Sequence, residues 1–266
     1  MQIWRLIDSG PERASLNMAI DEAIAESVAK GLSQPTIRFY EWRPPAVSIG
    51  YFQKIEEIDQ RKCLIRNYDI VRRPTGGRAI LHNRELTYSV MFNTDNPVFS
   101  TSVMDTYKII HQGLLIGLKK LELMAGMVSG REKRGIRSSA CFFSPSIYEL
   151  TVGGKKIIGS AQRRWQKVVL QQGSILLDLD IEGLFTILSQ ADRESFIVEA
   201  AQKMTSINKE LGRAIEINKV KKVMEDGFED ALGISLQPDV LTDYETVLAF
   251  KLSREKYSNP DWNYKR

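Results

Sequence analysis

The chain has 266 residues, enough for one large domain or two small ones, and length alone does not separate these. Hydrophobic residues make up 43% and charged residues 26%, an ordinary globular composition whose core needs neither a metal nor a disulfide framework. The excess of 37 Lys and Arg over 33 Asp and Glu is too small and too evenly spread to imply nucleic acid, though it suits an acidic protein partner.

The first fifteen residues lack the apolar core of a signal peptide, and no stretch approaches the ~18 apolar residues of a membrane span. The two cysteines, Cys63 and Cys141, show no CxxC spacing, and His82 and His111 are the only histidines. A cytoplasmic chain with reduced thiols and no metal site is expected.

Along the chain, Leu16, Ile20, Ile24 and Val28 recur every four residues and predict a helix from Leu16 to Lys30, with Ser15 as N-cap and Gly31 as its stop. Short strands follow at 36–42 and 46–52, separated by Arg43-Pro44-Pro45, then at 68–75, 79–82 and 85–92. The last alternates Leu86, Tyr88, Val90 and Phe92 against Thr87, Ser89 and Met91. A long helix is predicted near 102–121, in which Gly113 and Gly117 mark close packing against the sheet.

Three further strands at 146–152, 155–165 and 168–179 follow, the first two joined by a Gly153-Gly154 hairpin turn. The remainder, from about 182 to 266, reads as helical. Val220, Val223, Met224, Phe228 and Leu232 form one stripe ended by Gly233, and Thr242 with Glu245 fits a capping box opening the final helix. Strands in two blocks with helices between and after them predict an α+β fold with mixed or antiparallel sheets, in one domain over 1–266 without a separate accessory domain.

Three segments carry the candidate chemistry. RRPTGGRAILH (72–82) places Gly76-Gly77 where backbone N–H groups can meet an oxyanion or carbonyl, with arginines around the turn. The same residues also fit a plain hairpin with solvent-facing arginines. Cys141, in SACFFSPSIYEL (139–150), follows the basic run Arg131–Arg137, and nearby cations favour thiolate over thiol. A buried structural cysteine is the alternative there, and the reading adopted for Cys63. In GKKIIGSAQ (154–162) strand alternation turns either Lys155 or Lys156 inward, beside the small Gly159, Ser160 and Ala161. Two solvated lysines would be the bland equivalent. His82 is an acid–base candidate or a satisfied structural histidine. Trp42, Trp165 and Tyr51 read as pocket or core aromatics.

Taken together, these three motifs in this order resemble the biotin/lipoate protein ligase superfamily, with QQGSILLDLD (171–180) and the terminal KYSNPDWNYKR also fitting. The segment around Cys141 is similar to the octanoyltransferase branch. The resemblance implies an octanoyl-[acyl carrier protein]:protein N-octanoyltransferase of endogenous lipoate synthesis, with Cys141 as nucleophile and Lys156 as the central lysine. Arg73, Thr75, Gly76, Gly77, Arg78, His82, Gly159, Ser160 and Ala161 are implied at the acyl pocket. The implied partners are octanoyl-acyl carrier protein and a lipoyl-domain acceptor like glycine-cleavage H protein, with no cofactor, nucleic acid or membrane, and a monomeric enzyme. An ATP-dependent lipoate ligase, or an amidotransferase between lipoyl domains, would use much the same pocket.

Overall fold

The computed structural model describes residues 1–99, 102–128, 148–188 and 193–265. Eight strands form one sheet: β1 (Gln2–Glu12), β2 (Thr36–Trp42), β6 (Glu85–Asn93), β7 (Ala125–Met127), β8 (Leu150–Val152), β9 (Lys155–Trp165), β10 (Val168–Leu176) and β11 (Ile234–Pro238). Their order is β11-β1-β2-β6-β10-β9-β8-β7, parallel across β11, β1 and β2 and antiparallel elsewhere. A second sheet has the order β4-β3-β5, from β3 (Ala46–Ile49), β4 (Asp69–Arg72) and β5 (Ile80–His82). The mixed sheets and their flanking helices are the α+β arrangement the strand blocks predict.

The alternation of β6 decides the layers. Tyr88, Val90 and Phe92 join a core with α3 (Val103–Lys120) and α7 (Ile217–Leu232), while Met91 joins α1 (Ala14–Ala29) and part of α8 (Asp243–Leu252) on the other face. The remaining helices are short or peripheral: α2 (Gln60–Ile65), α4 (Ile181–Thr186), α5 (Arg193–Lys203), α6 (Ile207–Leu211) and α9 (Pro260–Asn263). Among the described residues no helix is long and apolar enough to cross a membrane.

Several sequence expectations change in detail. Ser15 does not cap α1: the helix starts at Ala14, whose N–H donates to the Asp69 carboxylate at 3.3 Å, and the Ser15 hydroxyl meets Ser253. Gly113 and Gly117 pack against α7, where an added Cβ would lie 2.7 Å from Phe228 and from Met224, so they set helix-to-helix rather than helix-to-sheet spacing. The sequence pattern predicts neither β1 nor β11, and β11 interrupts the helical run expected from about 182 to 266. The Thr242–Glu245 capping box is present, but α9 follows the helix it opens. At the hairpin, Gly153 and Gly154 have φ of +56° and +76°, as a two-residue turn between β8 and β9 requires.

Candidate active site

The 72–82 segment leaves β4, turns, and returns as β5, and its arginines build that turn. Arg72, fully buried, donates to the carbonyls of Gly50, Gln53, Trp262 and Asn263. The Arg73 guanidinium donates to the carbonyls of Ser48, Gly76 and Arg78. Arg78 meets Glu57 at 3.2 Å on the surface. The three guanidiniums are thus engaged within the chain, and their first task is to hold this loop. Gly77 has φ +92°, which a side chain would strain.

Beneath this turn lies a cavity that opens to solvent. Met18, Tyr40, Trp42 and Ile80 give it apolar walls; Arg73, Thr75, His82, Gly159, Ser160 and Ala161 also line it. Two of the three motifs therefore converge on one space. Gly76, Gly77 and Arg78 shape the turn above without lining it.

The polar groups around the cavity bond one another. Thr75 donates to Gln172 at 3.0 Å, and Gln172 donates to the buried Asp21 at 2.6 Å. Asp21 also accepts from Arg38, Tyr40 and Ser89. At the other end, His82 contacts Glu85 at 2.5 Å and Ser48 at 2.7 Å, and its ring stacks on Trp42 with centroids 4.0 Å apart. Thr87 and Ser174 donate to the same Glu85 carboxylate. His82 is satisfied in this network, with its ring forming part of the cavity wall.

Lys156 is the inward lysine of the pair, 5% exposed, whereas Lys155 is half-buried. It does not line the cavity. Its ammonium forms an ion pair with Glu149, itself 4% exposed, just ahead of β8. A charge buried this deeply needs such a partner. Close by on α3, His111 has its pKa pushed down to about 4 by desolvation and then by the Lys156 charge.

Cys141 lies outside the described residues. Cys63 is fully buried, and desolvation together with the Asp59 charge pushes its thiol up to about 11, as a packing residue requires. Trp42 lines the cavity, Trp165 packs beside α1, and Tyr51 contacts Trp262 and lies under the Arg163 guanidinium.

Glu149, His111, Asp21 and Gln172 were missed by sequence reasoning. The available signal was polarity out of place: Asp21 interrupts the apolar face of α1, and His111 sits between Ile110 and Leu114 on that of α3.

A cavity roofed by an arginine-braced turn and walled by a Gly-Ser-Ala strand is the candidate site on this α+β frame. Residues 13–229 match the model of the lipoyl protein ligase A/B catalytic domain, and the chain belongs to that family. It is 45% identical to the octanoyltransferase LipM of Brevibacillus brevis over 276 aligned residues, spanning 100% of both chains. To the octanoyltransferase LipM of Bacillus subtilis it is 41% identical, spanning 100% of this chain and 99% of the other. Among solved structures, it superposes on a lipoate-protein ligase A bound with ATP with TM-score 0.82 at 26% identity, covering 99% of each chain. It superposes on a bipartite lipoate protein ligase of Thermoplasma acidophilum with TM-score 0.84 at 25% identity, covering 99% of this chain and 97% of that one.

Proposed function

We propose that the chain transfers an octanoyl group from octanoyl-acyl carrier protein, through a thioester on Cys141, to the lysine of a lipoyl-domain acceptor such as glycine-cleavage H protein. Residues 1–266 act as one catalytic unit, a cytoplasmic monomer working in endogenous lipoate synthesis without a cofactor. The observation that carries this reading is full-length similarity at 41–45% identity to octanoyltransferases, in a chain that keeps a cysteine and a buried lysine in its other motifs.

The cavity supports an acyl ligand. Ser48, Thr75, Thr87, Gln172 and Ser174 already bond within the protein, so the lining does not demand a polar guest. The seven carbons of an octanoyl tail would contribute about 0.8 kcal/mol per buried CH2, which accounts for chain recognition by apolar burial. The modest basic excess favours encounter with an acidic carrier.

In the first step the Cys141 sulfur bonds the acyl carbon, the carrier's C–S bond breaks, and the carrier leaves as a thiol with the proton Cys141 gave up. In the second, the acceptor amine bonds the acyl carbon, the C–S bond to Cys141 breaks, and the thiol is restored. The acceptor ammonium's proton passes to solvent. Thioester exchange is near balance and amide formation runs downhill, so ATP is not needed. The Lys156 cation stabilises charge developing at sulfur and at the acyl oxygen. Because Glu149 holds the ammonium in place, Lys156 acts as half of an ion pair rather than as an isolated charge.

The test is intact-mass measurement after mixing with octanoyl-acyl carrier protein without ATP. A gain of one octanoyl group, lost with hydroxylamine and absent in Cys141→Ser, supports the reading. The likeness to an ATP-bound ligase favours one alternative, activation of free acid as an acyl adenylate. Octanoylation of a lipoyl domain only when free acid and ATP are supplied would establish that instead.

A further inference from the structure

His111 stands apart from the expected site residues, yet it bonds both the cavity wall at Ser160 and Tyr148, the residue ahead of Glu149. It is fully buried on α3. Its Nδ1 lies 2.6 Å from the Tyr148 carbonyl, and since a carbonyl only accepts, Nδ1 carries the proton. Its Nε2, 2.9 Å from Ser160 Oγ, is therefore the acceptor. The Ser160 hydroxyl donates to it and accepts from Tyr88 at 2.8 Å. Tyr88 accepts from Gln171 at 3.1 Å, and Gln171 accepts from Gln162 at 3.0 Å. Every hydrogen bond in this row points the same way and ends on Tyr148, which leaves the imidazole a single tautomer. Tyr107, one turn earlier on α3, donates to the Ser160 carbonyl at 3.2 Å, and its ring packs against that of His111 at a tilt of 40°.

The residue at the end of the row is unusual. Tyr148 has φ +70°, a left-handed conformation that costs a bulky side chain energy and persists only when its surroundings enforce it. Its N–H donates to the Val128 carbonyl at 3.0 Å and its own carbonyl takes His111. The next residue is Glu149, whose carboxylate holds Lys156. Ser160, at the other end of the imidazole, lines the cavity.

We infer that His111 is a positioning residue that orients the Lys156–Glu149 ion pair beside the cavity, by fixing the Tyr148 carbonyl directly ahead of Glu149. It touches no substrate; it sets where the lysine stands relative to the acyl group. With a pKa near 4 it is neutral at physiological pH and keeps its acceptor lone pair for Ser160. The inference rests on the proposed function only in counting Lys156 among the reacting machinery.

Three variants separate the two bonds. His111→Asn retains a donor near the Nδ1 position for Tyr148; His111→Gln retains an acceptor near the Nε2 position for Ser160; His111→Leu retains neither. Steady-state transfer from octanoyl-acyl carrier protein to a lipoyl domain is measured for each. The expected result is a kcat at least tenfold lower in H111L with KM within twofold, recovery of most of that loss in H111N, and little recovery in H111Q. Equal kcat in all three variants and the wild type overturns the inference, as does H111N no faster than H111Q. If H111L does not fold, the H111N and H111Q comparison still decides. If the wild type turns over only with free octanoate and ATP, the proposed function fails, and the same comparison is read in that reaction. A readout independent of turnover comes from the two-histidine imidazole NMR spectrum, assigned with H111N. His111 is expected as the Nδ1–H tautomer with no titration between about pH 5.5 and 8; titration in that range or the opposite tautomer overturns the inference.

Discussion

The Cα of Gly50, at the end of β3, faces the carbonyl of Gly77: a Cβ built there would lie 1.9 Å from the Gly77 oxygen and 2.7 Å from its carbon. Both neighbours are backbone, so the turn between β4 and β5 can sit over the cavity only while position 50 has no side chain. Gly50→Ala is expected to lower stability by about 1–3 kcal/mol, the usual range for overpacking, and to raise KM for the acyl donor. Thermal unfolding and steady-state kinetics check this. An unchanged melting temperature with unchanged KM would show that the turn moves aside freely.

The buried pair of Lys156 and Glu149 predicts a separation of stability from activity. Removing one member of a buried ion pair costs about 3–5 kcal/mol, whereas replacing both by apolar residues can be nearly neutral. Lys156→Met and Glu149→Leu are each expected to be strongly destabilised, and the double variant to regain most of the loss while remaining inactive. Denaturant titration of the three variants measures it. A double variant with the sum of the two single losses would contradict the pairing.

Thiol chemistry gives a third expectation. With Cys63 pushed up to about 11 by burial and by Asp59, its thiolate is negligible near neutral pH. Native protein treated with iodoacetamide at about pH 7.5 should gain one adduct, on Cys141, and Cys141→Ser should gain none. Peptide mapping of the alkylated protein identifies the site, and native alkylation at Cys63 would refute the assignment.

Acid sensitivity should arise in part where β1 meets α8. Burial alone would push the Glu245 carboxyl up, but the Arg5 guanidinium and the Thr242 N–H overcome it and hold it below 4.5. A depressed carboxylate contributes stability that is complete above its unfolded value and is lost as pH falls through the folded one. The melting temperature is therefore expected to fall below about pH 4.5, and Glu245→Gln to show a shallower fall from a lower starting point. Parallel pH slopes for the two proteins would remove Glu245 from the acid response.

How far this was legible in the sequence depended on how local each signal was. The stripe of α7 and its stop at Gly233, with φ +63°, follow from helical spacing and one left-handed glycine. The period of β6 is visible because its two faces meet different cores. β1 carries Arg5, Asp8 and Pro11 among its apolar residues, and what makes it a strand is pairing with β2 and with β11, more than two hundred residues away. The site divides the same way. Thr75, His82 and the Gly159-Ser160-Ala161 run lie within the motifs and line the cavity, whereas Glu149, Asp21 and His111 act through partners on other elements. The arginines of the 72–78 turn read as anion ligands because their charge is evident in sequence, while the carbonyls they bind are evident only in three dimensions.

The parallel strand β11 has a consequence for biosynthesis. β1 is synthesised well before its partner and remains an open edge until Ile234–Pro238 emerge to pair with it, and Arg72 gains the Trp262 and Asn263 carbonyls later still. A nascent chain halted before these residues would carry an unpaired β1 edge, which invites association with neighbouring chains. Protection of the β1 edge, and the closing of the Arg72-braced turn over the cavity, should therefore both be timed by the emergence of residues 234–263.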